Sequence, residues 1–316
     1  MKKWLLAIPA AALAGGYLGF QYACHRMEDP DWDSEEALKK TEYAEFAASL
    51  PRARQWLRDH NAEDVSVMSH DGFLLRGQWV PAEKPMGTII LFHGYRTHHI
   101  HDFSGIYSIY HNLGLNLLLV RQRGHGDSEG KYITFGVRER LDALSWIEFH
   151  NRTHGADNVF LGGMSMGAST VLFTAGEDLP PNVRGITADC GFSSPAEIIG
   201  HIIRRDFHLP PKLVLPLMDL WARLLGGFSF YECDSRKTLA RSNTPILFIH
   251  GTGDRFVPCS MTQAGYDACV SEKELHLIEG AGHGRSYLRE PERLERALAD
   301  FFRRNISEEF SLEDHT

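Results

Sequence analysis

The chain has 316 residues, 43% of them hydrophobic and 23% charged, with a formal net charge of −8. Length and composition admit one large domain with an appendage and exclude a disordered, collagen-like or disulfide-framework chain. The acidic balance, with no Lys/Arg run longer than a pair, excludes a broad phosphate-binding face, so nucleic acid is not an expected partner.

The first predicted element is apolar. Lys2 and Lys3 precede an uncharged stretch of 21 residues, Trp4 to Cys24, which as a helix would run about 31 Å and cover a hydrocarbon core. Residues 1–33 are therefore expected to be an N-terminal membrane anchor, or signal segment, followed by a linker containing Pro30. The lysines ahead of the span favour an inside N-terminus with the body of the chain extracytoplasmic at the cell membrane; cleavage and secretion are the alternative. Gln21 and Tyr22 are poor residues ahead of a lipidated Cys24. A helix is expected from an N-cap at Asp33 or Ser34 to about Asp59, with Leu38, Phe46, Leu50, Trp56 and Leu57 as its apolar face.

Beyond it the period changes. "DVSVMSHDGFLLRGQWVPAE" alternates about His70, Asp71 and Gly72, a hairpin signal. Six short apolar runs follow, at 87–94, 116–130, 158–165, 183–191, 244–254 and 273–283, separated by helical stretches. Uniformly apolar strands alternating with helices predict a parallel sheet covered on both faces. Residues 34–316 are assigned to this one α/β domain, with an inserted helical cap at about 192–243 broken by Pro210, Pro211, Pro216 and Gly226-Gly227. The acidic tail "SEEFSLEDHT" reads as a solvated end.

Within the third run, Gly163-Met164-Ser165-Met166-Gly167 is a G-x-S-x-G sequence, preceded by the strand-like "VFLG" and followed by the helix-forming "ASTVLFTA". A strand that turns sharply into a helix needs small neighbours at the turn, and the turn presents the serine hydroxyl above the sheet. A serine attacking a carbonyl must lose its proton to an imidazole, which a carboxylate holds in the right tautomer. Asp254 follows one late apolar run and His283 the next, so both belong in loops at the carboxyl edge of the sheet beside Ser165. Asp189, at another strand end, is the alternative acid. The oxyanion needs two backbone N–H donors; Met166, directly after the serine, and Tyr95, after "TIILFHG", are the candidates, with His93 structural.

"LFHGY", "RQRGHGDSEG", "GGMSMG", "HGTGDRFVP" and "GAGH", in this order, resemble the α/β-hydrolase superfamily over about residues 62–305. The chain is similar in particular to bacterial membrane-anchored BEM46-like and serine-aminopeptidase-like hydrolases. The resemblance implies an α/β-hydrolase fold with a mostly parallel eight-stranded sheet, a triad of Ser165, Asp254 and His283, and hydrolysis with no cofactor and no metal. The expected activity is cleavage of a carboxylic ester through an acyl-enzyme, the substrate being a small-molecule or lipid-like ester. Thioesterase, lipase or aminopeptidase action, or a non-catalytic membrane-tethered binding protein, is the alternative.

Other side chains have secondary readings. His98, His99 and His101 are read as a polar rim loop in preference to a zinc site. Arg121, Arg123 and His125 are expected to shape a loop, Arg123 having the option of meeting an anionic substrate group. In the cap, Leu213, Leu217, Leu220, Trp221, Leu224 and Phe228 form an apolar face, read as packing or alternatively as an acyl pocket. The five cysteines, Cys24, Cys190, Cys233, Cys259 and Cys269, lack metal-site spacing and are read as packing residues, with Cys259–Cys269 a conceivable bridge under oxidising conditions.

Overall fold

The computed structural model describes residues 4–28, 34–40, 44 and 50–306, with side chains from Ala10 onward. The Lys2-Lys3 pair, Pro30, the alternative N-cap Asp33, Phe46 and the acidic tail beyond residue 306 lie outside the described residues.

Three helices, α1 (Trp4–Cys24), α2 (Glu35–Leu38) and α3 (Leu50–Asp59), precede the sheet. Ser34 caps α2, its Oγ accepting from Ala37 N at 3.1 Å. The predicted hairpin forms β1 (Glu63–Met68) and β2 (Leu74–Val80), paired antiparallel, and the Ser69 hydroxyl accepts from Phe73 N at 2.8 Å in the turn. Then come β3 (Gly87–Phe92), α4 (His99–Phe103), α5 (Tyr107–Asn112), β4 (Leu115–Arg121), α6 (Glu139–Thr153), β5 (Val159–Met164), α7 (Met166–Thr174) and β6 (Val183–Asp189). The stretch predicted as a cap holds α8 (Pro195–Asp206), α9 (Pro211–Trp221), a π turn (Ala222–Gly226) and α10 (Ser235–Leu239). The chain closes with β7 (Ile246–Gly251), α11 (Cys259–Ala268), β8 (Lys273–Ile278), α12 (Ser286–Arg289) and α13 (Pro291–Asn305).

The eight strands lie in the order β1-β2-β4-β3-β5-β6-β7-β8, with β2 antiparallel to both neighbours and the rest parallel. Every residue of β3 and β7 is buried, the reason those runs carry no polar alternation. Ile89 and Leu91 of β3 join Leu117, Leu119, Phe160 and Phe302 on one face, against α3, α5 and α13. Ile90 and Phe92 join Leu118, Trp146, Leu161 and Phe248 on the other, against α6, α7 and α11. Each fully buried Leu or Phe contributes about 1.5–3 kcal/mol, so the sheet is fixed from both sides. This is the α/β-hydrolase architecture, and it brings the ends of β3, β5, β6 and β7 to one edge.

Helix α1 packs along α9. A Cβ on Gly16 would lie 2.6 Å from Leu217 Cβ, so glycine there lets the helices close together. Trp221 Nε1 donates to Leu13 O at 2.9 Å, and Phe20 and Cys24 are fully buried with Met166, Met218, Ala222 and Phe228. Among the described residues no helix is long and apolar enough to cross a membrane, so the predicted spanning anchor is not supported. Gly15, Gly16, Gly19, Gln21 and Tyr22 dilute the apolar run, and one face of α1 is occupied by α9. All five cysteines are free. Cys259 starts α11 and Cys269 caps its end, so the helix holds them about 15 Å apart, too far for a bridge.

Candidate active site

Ser165 sits between β5 and α7 with φ 55° and ψ −114°, a conformation that costs a non-glycine residue on the order of 1–3 kcal/mol. Its neighbours hold it there. Ser165 N donates to Asp189 O at 2.8 Å, and Ser165 O accepts from Ser169 N at 3.0 Å. The two glycines of the motif make the turn possible: a Cβ on Gly163 would stand 2.3 Å from Gly167 C, and one on Gly167 would meet Phe92 O at 1.8 Å.

The loops after β7 and β8 bring the acid and the imidazole to this hydroxyl. His283 Nε2 lies 2.9 Å from Ser165 Oγ, and His283 Nδ1 lies 2.6 Å from Asp254 Oδ2. Asp254 Oδ1 accepts from Phe256 N and Val257 N at 2.8 and 2.9 Å. Burial opposes its charge, but hydrogen bonds from His250, His283 and Val257 N outweigh burial and hold the carboxyl well below the usual range. A carboxylate acting on an imidazole must stay ionised, and this one does so without solvent.

Asp189, the alternative acid, is half-buried in the lining of the same cavity and accepts from Ser286 Oγ at 3.3 Å. Burial, the largest influence, pushes it up to about 6. The His283 imidazole meets the Asp254 carboxylate at 2.6 Å, while the Asp189 carboxylate meets Ser286, so the hydrogen-bonded succession runs through Asp254.

Of the oxyanion candidates, Met166 is the first residue of α7, where helical geometry leaves the N–H without an intrahelical acceptor. Tyr95 lines the same cavity as Ser165. The amides on either side of it are committed: Gly94 N donates to Asp102 Oδ2 at 2.6 Å and Arg96 N to His125 Nε2 at 3.0 Å. His93 is structural, Nδ1 facing Gly94 O at 2.9 Å and Nε2 accepting from Gln122 N at 3.1 Å.

The cavity in front of Ser165 and His283 has a volume of about 1150 Å³, at or above the ~300–1,000 Å³ of ordinary small-molecule sites. Ala53, Trp56, Phe103, Tyr110, Leu294 and Leu298 form apolar wall from α3, α4, α5 and α13. None of its described lining residues comes from 192–243, so the alternative of an acyl pocket in the cap is not supported. Leu217 and Trp221 of the cap's apolar face pack on α1, whereas Leu213, Leu220 and Leu224 are left exposed. Arg123 holds its loop, and the option of meeting an anionic substrate group is closed. It is 3% exposed and forms a fork with Asp142 (2.5 and 2.6 Å) and Asp71 (2.8 and 2.9 Å), so it cannot reach a substrate.

The three histidines of the rim loop do not converge. His98 Nδ1 accepts from Ile100 N, His99 Nδ1 meets Tyr107 Oη at 2.8 Å, and His101 Nδ1 meets Asp102 Oδ1 at 2.7 Å. Among the described residues two clusters gather donor atoms within 4.8 Å: Cys190 with Asp254 and His283, and His70 with Asp71 and Asp142. Neither suits a metal. Burial pushes the Cys190 thiol far up, keeping it protonated, and both carboxylates of the second cluster hold Arg123.

Sequence reasoning missed several supports. His250, fully buried at the end of β7, sets Nε2 3.2 Å from Asp254 Oδ2 and Nδ1 2.7 Å from Thr262 Oγ1. Asp102 ties down the loop after β3 by accepting from Gly94 N and from Thr97 Oγ1 at 2.7 Å. The Phe256 ring lies 5.1 Å from that of His283. The position of His250 directly before "GTGD" was the available signal; Asp102 had none beyond the polarity of its loop.

With fold and site in view, comparison with known proteins places the chain. The alpha/beta hydrolase family model matches residues 89–297, and the chain belongs to that family. It is similar to the Bacillus subtilis protein YqkD, 28% identical over 236 residues, covering 74% of this chain and 77% of that one. Among solved structures, the Pyrococcus furiosus esterase Pf2001 superposes with a TM-score of 0.65 at 22% identity, covering 79% of this chain and 94% of the esterase. The ferulic acid-bound Est1E of Butyrivibrio proteoclasticus superposes with a TM-score of 0.59 at 17% identity, covering 77% and 99%. These likenesses show the fold.

Proposed function

We propose that the protein is a serine hydrolase that cleaves a carboxylic ester through an acyl-enzyme on Ser165. The observation that carries this reading is the succession at one wall of the cavity: Ser165 Oγ to His283 Nε2 at 2.9 Å, and His283 Nδ1 to Asp254 Oδ2 at 2.6 Å. Ser165 Oγ attacks the ester carbonyl while His283 takes its proton. The amides of Met166 and Tyr95 receive the oxyanion, where each such donor is typically worth about 3–4 kcal/mol of barrier. Collapse expels the alcohol, protonated by His283, and water attacks the acyl-enzyme with His283 again as base. Asp254, ionised and fixed by two backbone amides, orients the imidazole throughout.

The apolar wall between α3, α5 and α13 suits an acyl chain or other apolar substituent, and the esterase neighbours agree with an ester as substrate. The test is turnover of p-nitrophenyl acetate and butyrate by the full chain beside its Ser165→Ala version, with fluorophosphonate labelling in parallel. Turnover and labelling that vanish with the hydroxyl support the reading; equal rates from the two proteins overturn it and favour a binding protein. Matched ester, thioester and aminoacyl substrates rank the alternatives of thioesterase and aminopeptidase.

A further inference from the structure

The end of α1 is closed by the same loop that carries Tyr95. The last carbonyls of a helix have no intrahelical partner. Here Tyr22 O accepts from Arg96 Nη2 at 2.6 Å, Ala23 O accepts from Tyr95 Oη at 2.8 Å, and Cys24 O accepts from Ile133 N at 2.7 Å. Arg96 Nη2 also reaches His25 O at 3.3 Å, and its guanidinium lies 4.8 Å from the Tyr95 ring centre. The guanidinium thus sits at the negative end of the helix, where a cation is favoured. Arg96 adopts φ 55°, a left-handed conformation that a non-glycine side chain keeps only when its surroundings enforce it.

We propose that α1 is a positioning element for the oxyanion loop, its last turn holding the Tyr95 amide in place through the Tyr95 hydroxyl and the Arg96 guanidinium. The proposal rests on the hydrolase reading above and goes beyond it, because Phe20–Arg26 lies outside the stretch matched by the family model. Two side chains grip the helix end, and the peptide that must face the oxyanion runs between a committed amide on each side. Loss of the grip lets that peptide rotate while leaving Ser165, His283 and Asp254 untouched. Phe20 and Cys24 are fully buried in the same apolar cluster as Met166, the residue of the other donor.

The experiment uses the full chain with Tyr95→Phe/Arg96→Gln, which keeps the Tyr95 amide and removes both grips. Arg184→Gln is the control, because Arg184 Nε donates to Asn305 O at 3.1 Å, at the end of α13 and away from the loop that carries Tyr95. Four quantities are compared with wild type: kcat and KM for p-nitrophenyl butyrate, affinity for a boronic acid that forms a tetrahedral adduct on Ser165, and thermal midpoint. A small displacement of a reacting group costs up to about 100-fold. The double variant is therefore expected to lose between about 10- and 100-fold in kcat and in boronic acid affinity together, with KM little changed. Arg184→Gln is expected to lower the thermal midpoint without moving kcat. If the double variant loses thermal stability like the control but keeps kcat and adduct affinity, the proposal is wrong. Should the double variant fail to fold, Tyr95→Phe alone, one hydroxyl removed, carries the same comparison. Wild-type protein without Ser165-dependent turnover would overturn the hydrolase reading, and this proposal with it.

Discussion

His283 Nδ1 and Asp254 Oδ2 stand 2.6 Å apart, whereas Asp189, the other strand-end carboxylate, turns toward Ser286. Asp254→Asn is therefore expected to lower kcat/KM for a p-nitrophenyl ester by about 10³–10⁴-fold, as loss of the orienting acid does in serine hydrolases generally. Asp189→Asn should change it little. Steady-state kinetics on the two variants decides the assignment, and a fall as deep in Asp189→Asn would transfer the acid's role to Asp189.

Asp189 has a consequence for stability as well. Its folded carboxyl is pushed up to about 6 by burial, against about 3.9 in an unfolded chain. A raised acid stabilises fully below the unfolded value, and that contribution is lost as pH climbs through the folded one. Between pH 4 and 7 wild type should lose about 2 kcal/mol relative to Asp189→Asn. Urea unfolding of both proteins at the two pH values measures this difference; parallel behaviour would mean the carboxyl is not held protonated.

Ser165 adopts φ 55°, which only glycine takes without penalty. Ser165→Gly should abolish turnover and raise the unfolding free energy by about 1 kcal/mol, read as a higher denaturant midpoint. A lower midpoint would show that the serine hydroxyl stabilises the turn more than its backbone strains it.

The Arg123 fork is buried between Asp71 and Asp142. Arg123→Met leaves two carboxylates without their cation and should cost about 3–5 kcal/mol. Because Arg123 does not line the cavity, the ratio of kcat/KM for a carboxylated ester to that for its neutral counterpart should stay as in wild type. A ratio that collapsed in the variant would restore the arginine as a substrate contact.

The cavity wall predicts where chain-length preference resides. Ala53→Trp fills space between α3 and the sheet edge and should shift a p-nitrophenyl ester series toward shorter acyl groups. Leu213→Ala, in the exposed face of α9, should leave the series unchanged. The opposite pattern would return acyl recognition to the cap.

Much of this arrangement was legible because it is local. β3 and β7 are buried on both faces and so are apolar throughout, and Gly163 and Gly167 betray the turn because nothing larger fits there. Asp254 and His283 announced themselves by following strands in the order the fold uses. What escaped depends on distant segments meeting. The partners of Arg123 lie 52 and 19 residues away, so its place in a loop was legible but the carboxylates that hold it were not. The apolar run of α1 gives hydropathy but not the partner helix, and Gly16 against Leu217 marks packing that a one-dimensional pattern does not distinguish from lipid contact. The apolar wall of the cavity escaped for the same reason: α3 and α13 lie at opposite ends of the chain.

Gly167 brings the first turn of α7 against the main chain of Phe92, so backbone alone sets the gap between the serine turn and the strand leading to Tyr95. Side chains in either core can drift over evolutionary time without moving that gap. New substrates would then be accommodated by remodelling the walls contributed by α3 and α13, around a reaction centre whose dimensions are settled during folding.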